Sequence, residues 1–208
     1  MNAVTPPPRP SRRTQAERSE TMRARLATAA YEAVAEGGLK ALRLRAVAEG
    51  AGVSQGALLH HFPDKSALIL AAIEQALTLA RNDSAAWLDK VASSREAVLR
   101  AMLAEFRAFF FSDRFWVAMG ITIEASKDED LFAIVRSSVS SLRTPIYAAW
   151  AEQLIGQGWQ AEDAARDVRS GAALVSGAAI HRFWADTDSV TTEIEEEWIA
   201  ERLARRLP

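Results

Sequence analysis

LRLRAVAEGAGVSQGALLHHFPDK, residues 42–65, contains two short helical patterns separated by a glycine turn. Val47, Ala48 and Ala51 share the three-to-four-residue spacing of one helix face, and small Ala48 lets a second helix approach closely. Gly52 is placed to take the positive φ that ends the first helix, with apolar Val53 following inside the turn. Ser54 is then an N-cap whose hydroxyl accepts from the free amides of the next turn. Leu58 and Phe62, at i and i+4, turn back toward a core. This leaves Gln55, Gly56, Ala57, Leu59 and His60 facing outward, and the whole stretch predicts a helix-turn-helix.

Upstream, Met1 to about Ala16 is rich in Pro and Arg and has too little apolar surface to order itself. Arg9, Arg12 and Arg13 read either as a flexible basic arm or as an ordinary disordered start. From Thr21 the pattern is helical: Met22, Leu26, Ala29, Ala30, Ala33 and Val34 make one stripe, and Gly37-Gly38 closes it. Downstream, Asp64 caps another helix, whose stripe of Leu68, Ala72, Ile73, Ala76 and Leu77 leads into the rest of the chain. Five further helices are expected, at about 94–111, 113–127, 130–156, 161–186 and 191–207, with Pro145 kinking the third of them. No strand pattern or internal repeat competes, so the fold class is all-α.

The 208 residues, 49% apolar, suffice for a sizeable core. No apolar run approaches the roughly 20 residues that cross a bilayer, and the longest, 172–180, is broken by Ser176 and Gly177. The first residues lack the apolar segment of a secretion signal, so a cytoplasmic location and no membrane partner are expected. The absence of cysteine excludes disulfides, thiol catalysis and thiolate metal sites. Residues 1–65 carry ten Lys and Arg against six Asp and Glu, whereas the remainder carries fifteen against twenty-one. A basic front on an acidic body suits one nucleic-acid-facing end or, more blandly, a solvated face.

The spacing of Ala48, Gly52, Val53, Ser54, Gly56, Leu58, His61, Phe62 and Lys65 resembles the DNA-binding domain of the TetR (tetracycline-repressor) family of bacterial regulators. The resemblance covers roughly Glu20 to Ala80. It implies a tail over 1–19, a DNA-binding unit over 20–80 with its helix-turn-helix core at 43–62, and a helical ligand-binding and dimerisation unit over 81–208. It also implies a homodimer reading a palindromic double-stranded DNA operator, released by a small-molecule effector. Two positions depart from the family pattern: Leu59 stands where a phosphate-contacting tyrosine is usual, and Arg43 where a threonine usually caps the first short helix.

On this reading Arg43, Arg45 and Lys65 contact phosphates, and His61 does so by the family match or instead packs locally. Ser54 caps the reading helix. Gln55 pairs with adenine, Ala57 meets a thymine methyl, His60 is a further reader, Gly56 permits close approach and Leu59 makes an apolar contact. Met102, Phe106, Phe109 and Phe110 share one helical sector and Trp116, Met119 and Ile123 another, with Trp150 and Phe183 able to join them. Such stripes are either plain core or, as the resemblance implies, an effector pocket suited to an apolar, aromatic or cationic compound. Glu124 is the candidate anion for a cation, or an exposed carboxylate near Lys127. Gly171, Ala172, Val175, Ala178 and Ala179, with Trp198, Ile199 and Leu203, are the expected dimer surface, intramolecular packing being the alternative.

An all-helical enzyme is disfavoured. His60 and His61 diverge on a helix and His181 is far away in sequence, so no metal-ligand spacing, phosphate loop or nucleophile motif appears. No cofactor or metal is implied. A helical partner-binding protein that has lost DNA binding remains the other reading, favoured by Leu59 and the modest basic charge.

Overall fold

A computed structural model of the chain describes residues 14–90, 94–185 and 188–205, so the arm arginines Arg9, Arg12 and Arg13 lie outside the described residues. Within them the order is α1 (Gln15–Gly37), α2 (Leu44–Gly50), α3 (Gln55–His61), α4 (Lys65–Leu88), α5 (Arg95–Phe110), α6 (Asp113–Ala125), α7 (Glu129–Gly156), α8 (Ala161–His181) and α9 (Asp188–Ala204). No strand occurs among the described residues.

The first helix begins well before Thr21, and the expected tail over 1–19 therefore overlaps it. The cause is a capping box: the Thr14 hydroxyl accepts from the Glu17 amide at 3.2 Å, and the Thr14 amide donates back to Glu17 Oε2 at 2.7 Å. Two orphan amides are thus satisfied locally, and the helix extends ahead of its buried stripe. Gly38, with φ 66°, terminates it. Helix α7 continues through Pro145 to Gly156. Helix α8 ends at His181, short of the expected 186, and α9 starts at Asp188, ahead of the expected 191.

Two apolar clusters organise the molecule. The first gathers Leu26, Ala30 and Val34 of α1, Val47 of α2, Leu58 of α3, the interhelical residues Leu42 and Phe62, and Leu68, Ala72 and Ile73 of α4. It also takes in Val117, Ala118 and Ile121 of α6 and Val135 of α7, so the N-terminal helices are packed directly on the body. The second cluster joins α5, α7, α8 and α9 around Leu99, Met102, Phe106, Trp150, Val168 and Val175. Helix α4 extends from the first region into the second, and the expected boundary at residue 80 falls inside it.

Glu105 is a buried carboxylate of this body. It accepts from the Ser84 hydroxyl and from Trp150 Nε1, the latter at 3.2 Å. Burial pushes its pKa above the ordinary carboxylate value, opposed by those two donors and by the charge of Arg143. The folded state therefore holds this proton more tightly than the unfolded chain does. Its contribution to stability is fully present below the unfolded pKa and is lost as pH rises through the raised folded value. Glu105→Gln keeps an acceptor for Trp150 and turns its amide N–H to the Ser84 oxygen, whose proton has the Ala80 carbonyl to go to, and it does not titrate. Thermal melts between about pH 4 and about pH 8 are expected to show the wild-type Tm falling relative to the variant as pH rises. A pH-independent gap would contradict the raised folded value.

Candidate functional site

Helices α2 and α3 are joined by a Schellman turn. The Val53 amide donates to the Ala48 carbonyl at 2.9 Å and the Gly52 amide to the Glu49 carbonyl at 3.0 Å, with Gly52 at φ 64°. Arg25 reaches across from α1 and donates through Nη2 to the Ala51 carbonyl at 2.6 Å, fixing this turn to the first helix. Ser54 then caps α3, accepting from the Ala57 amide at 3.2 Å. The far end of α3 is held by Arg23, whose guanidinium lies 4.6 Å from the Phe62 ring centroid and donates to the His61 carbonyl at 3.2 Å. Both anchoring arginines precede the helix-turn-helix and carry no sequence signal of this role. Pairs 26 and 38 residues apart carry no periodic signal.

Leu58 and Phe62 are buried, whereas Ser54, Gln55, Gly56, Leu59 and His60 are exposed and Ala57 and His61 half-buried. One ridge of α3 therefore presents Gln55, Gly56, Leu59 and His60 to solvent. The rings of His60 and His61 meet edge to face at 5.3 Å. Arg43 occupies the N-cap position of α2 and forms no side-chain cap, so the first short helix lacks the bond a threonine there supplies. Arg45 is exposed and pairs with Glu49 one turn on at 2.8 Å, an interaction that leaves it free to exchange partners. Lys65 lies at the start of α4 on the rim of a cleft of about 660 Å³ between α1, α4 and α6, which it shares with Lys40, Trp116, Glu124 and Lys127.

The expected effector residues separate into four places. Phe109, Phe110 and Met119 line a cavity of about 430 Å³, together with Phe115, Thr122, Arg143, Tyr147, Arg169 and Ile180. Met102, Phe106 and Trp150 do not line it, because they are buried in the core between α5, α7 and α8. Trp116 faces the lysine-bearing cleft, and Phe183 packs against it from outside at 4.6 Å while remaining 62% exposed. Ile123 is 59% exposed. Glu124 is likewise outside the aromatic cavity: Lys127 holds it at 2.6 Å on the surface and lowers its pKa. The cavity residues that were missed include Phe115, Ala118 and Thr122 of α6 and Leu77 of α4, and the rest come from α7 and α8, which only the tertiary arrangement brings opposite α6.

Most of the expected dimer stripe packs against the chain's own core. Gly171, Ala172, Val175, Ala179, Trp198 and Ile199 are buried inside the chain, and Ala178 and Leu203 are half-buried. A Cβ on Gly171 would stand 3.1 Å from Leu103 Cδ2 and 3.4 Å from both Met102 Cε and Trp198 Cζ2. These small residues serve close approach of α5 and α9 to α8, and side chains already withdrawn from solvent have no area left for a partner. Phe183, Trp184, Val190 and Ile194 instead remain exposed around the α8–α9 connection.

Among the described residues no group of three or more His, Asp or Glu is arranged for a metal, and no helix is long and apolar enough to cross a membrane.

Residues 26–72 match the family model for bacterial regulatory proteins of the tetR family. The helix-turn-helix-type transcriptional regulator CymR of Pseudomonas putida is 31% identical over 175 residues, covering 84% of this chain and 86% of its own. A transcriptional regulator from Rhodococcus sp. Rha1 superposes with a TM-score of 0.58 at 25% identity, covering 86% of this chain and 94% of its own. RolR, solved as a complex with resorcinol, superposes with a TM-score of 0.57 at 20% identity over 93% of this chain and 98% of its own.

Proposed function

The chain belongs to the TetR family of bacterial transcriptional regulators and is a DNA-binding regulator, not an enzyme; we propose that it acts as a homodimeric repressor which a small molecule releases from a palindromic operator. The observation that carries the DNA side of this reading is the exposed ridge of α3, held at both ends by Arg23 and Arg25 so that it is presented as a rigid unit. Gln55 then pairs with adenine, Ala57 meets a thymine methyl, and Gly56, Leu59 and His60 lie against the groove floor. Arg43, Arg45, His61 and Lys65 neutralise flanking phosphates and set the register.

The homodimer in this proposal uses the outward faces of α8 and α9. Gly177 has open space beside it, and Val190, Ile194, Phe183 and Trp184 offer apolar area that a folded monomer leaves wet. Helix α6 supplies the coupling. Phe115, Ala118, Met119 and Thr122 border the cavity, while Val117, Ala118 and Ile121 pack in the cluster that holds α1 and α4. A ligand that displaces α6 thus shifts the spacing of two reading helices, and its leverage is its differential affinity for the two arrangements. These roles agree with a cytoplasmic location.

Selection from random duplex DNA, with affinities of the winners measured across salt concentrations, tests the proposal. A palindrome with half-sites about one helical turn apart is expected. Gln55→Ala is expected to reduce discrimination at one base by about 1–3 kcal/mol. Lys65→Ala is expected to weaken selected and scrambled DNA alike and to lower the salt slope by about one. Weak binding with no enriched site would favour a partner-binding protein instead.

A further inference from the structure

The cavity between α5, α6, α7 and α8 combines aromatic walls with cationic donors and, among its lining residues, no Asp or Glu. Phe109, Phe110 and Phe115 supply ring faces and edges, packed edge to face at 5.1 to 5.9 Å. Arg143 enters from α7. Its guanidinium lies 4.7 Å from the Phe109 and Phe110 centroids and 5.0 Å from that of Tyr147, and its Nη2 donates to the Tyr147 hydroxyl at 2.6 Å. That bond uses one of five guanidinium N–H groups, and the stacked rings fix the plane of the fork. Arg169 of α8 lines the same cavity and is exposed.

Two of the lining hydroxyls are already committed as donors, Thr122 to the Ala118 carbonyl at 2.7 Å and Ser176 to the Ala173 carbonyl at 3.1 Å, whereas that of Tyr147 accepts from Arg143 and keeps its own proton to give. A polar group entering the cavity therefore meets arginine donors, the Tyr147 O–H and lone pairs, with no acid among the lining residues to receive a cation. Glu105 feels the charge of Arg143 but does not line this cavity, and its carboxylate is held by Ser84 and Trp150.

We propose that the ligand of this cavity is an aromatic carboxylate, its ring among Phe109, Phe110 and Phe115 and its anion on Arg143, with Arg169 as a second cation. A planar carboxylate matches a fixed guanidinium through paired charge-assisted hydrogen bonds, whereas an ammonium meets like charge. This rests on the proposed effector role of the cavity and narrows the expected apolar, aromatic or cationic ligand to an anion.

Calorimetric titration of the full chain with benzoate and 2-naphthoate tests it, beside neutral benzamide and 2-naphthamide and cationic benzylamine and 2-naphthylmethylamine. A carboxylate is expected to bind one per chain, about tenfold or more tighter than its amide. Arg143→Gln is expected to abolish that preference and Arg143→Lys to keep part of it. Arg169→Gln, at an exposed position, is expected to reduce it without loss of fold and keeps the test valid if the Arg143 variants melt early. Amides or amines binding as tightly as carboxylates would overturn the anion assignment and leave an effector cavity standing. So would a carboxylate preference that survives both glutamine variants, since the anion would then sit elsewhere. Binding by none of the six compounds would overturn it too. Arginine-dependent carboxylate binding that leaves DNA affinity unchanged would uphold the assignment while removing the effector role.

Discussion

Asp167→Ala is expected to cost about 3–5 kcal/mol of unfolding free energy, because it strands a buried cation. Asp167 is fully buried on α8 and accepts from three side chains, one eight residues before it and two more than thirty residues after it. Trp159 Nε1 donates at 3.0 Å, Arg202 Nε at 3.2 Å, and Arg205 Nη1 to both carboxylate oxygens at 3.1 and 2.9 Å. Arg205 is half-exposed and is free to turn to water. Arg202 has no such exit: its side chain is 10% exposed and its guanidinium lies 4.0 Å from the Trp198 ring centroid. Arg202 also donates to the Trp198 carbonyl and to Glu201, which soften the loss without replacing a buried counter-ion.

Since whole domains are stable by only about 5–15 kcal/mol, denaturant unfolding should show Asp167→Ala losing a large share of the total. Protection from hydrogen exchange should fall first in α9, which this carboxylate ties to α8. The double variant Asp167→Leu/Arg202→Met removes both charges and is expected to recover much of the loss, because a matched apolar pair leaves no fully buried charge unpaired, the cost that remains being the Trp159 Nε1–H without its acceptor. A double variant as unstable as Asp167→Ala would mean that shape, not charge pairing, governs the site.

Phe62→Ala is expected to cost a similar amount, about 3–5 kcal/mol for a buried phenyl, but at the opposite end of the molecule. The ring is 1% exposed within the cluster of α1 to α4, caps α3 and carries the Arg23 guanidinium on its face. Its removal leaves a cavity directly beneath the reading helix and frees Arg23, the clamp on the His61 carbonyl. Operator affinity should collapse together with exchange protection in α2 and α3, while amides of α5, α8 and α9 keep theirs. Wild-type DNA affinity in this variant would show that α3 is held chiefly by the Arg25 turn and not by its core face.

Pairs of residues within one helical turn were legible directly. Gly52, Ser54, Leu58 and Phe62 specify the turn, cap and core face of the helix-turn-helix through bonds that span three to five residues, and each lies where its chemistry requires. The Thr14–Glu17 capping box was equally local and went unread, because the buried stripe begins only at Leu26. Apolar spacing likewise located every helix of the body to within a few residues. Periodicity states that a face is buried, however, and not what buries it. The small-residue stripe of α8 suggested a second chain, yet at Gly171 it is Met102, Leu103 and Trp198 of the same chain that stand in contact.

The sequence by itself determined an all-helical chain with a helix-turn-helix near its start and an outward ridge of Gln55, Gly56, Leu59 and His60. Hydrogen-bond geometry, chain stiffness and burial operate there over a few residues. Only the tertiary structure decided which aromatics enclose space, that Arg143 and Arg169 face it, and that Asp167 gathers Trp159, Arg202 and Arg205. Those groups meet through the packing of α5 to α9, and packing depends on the volumes of all the side chains between them.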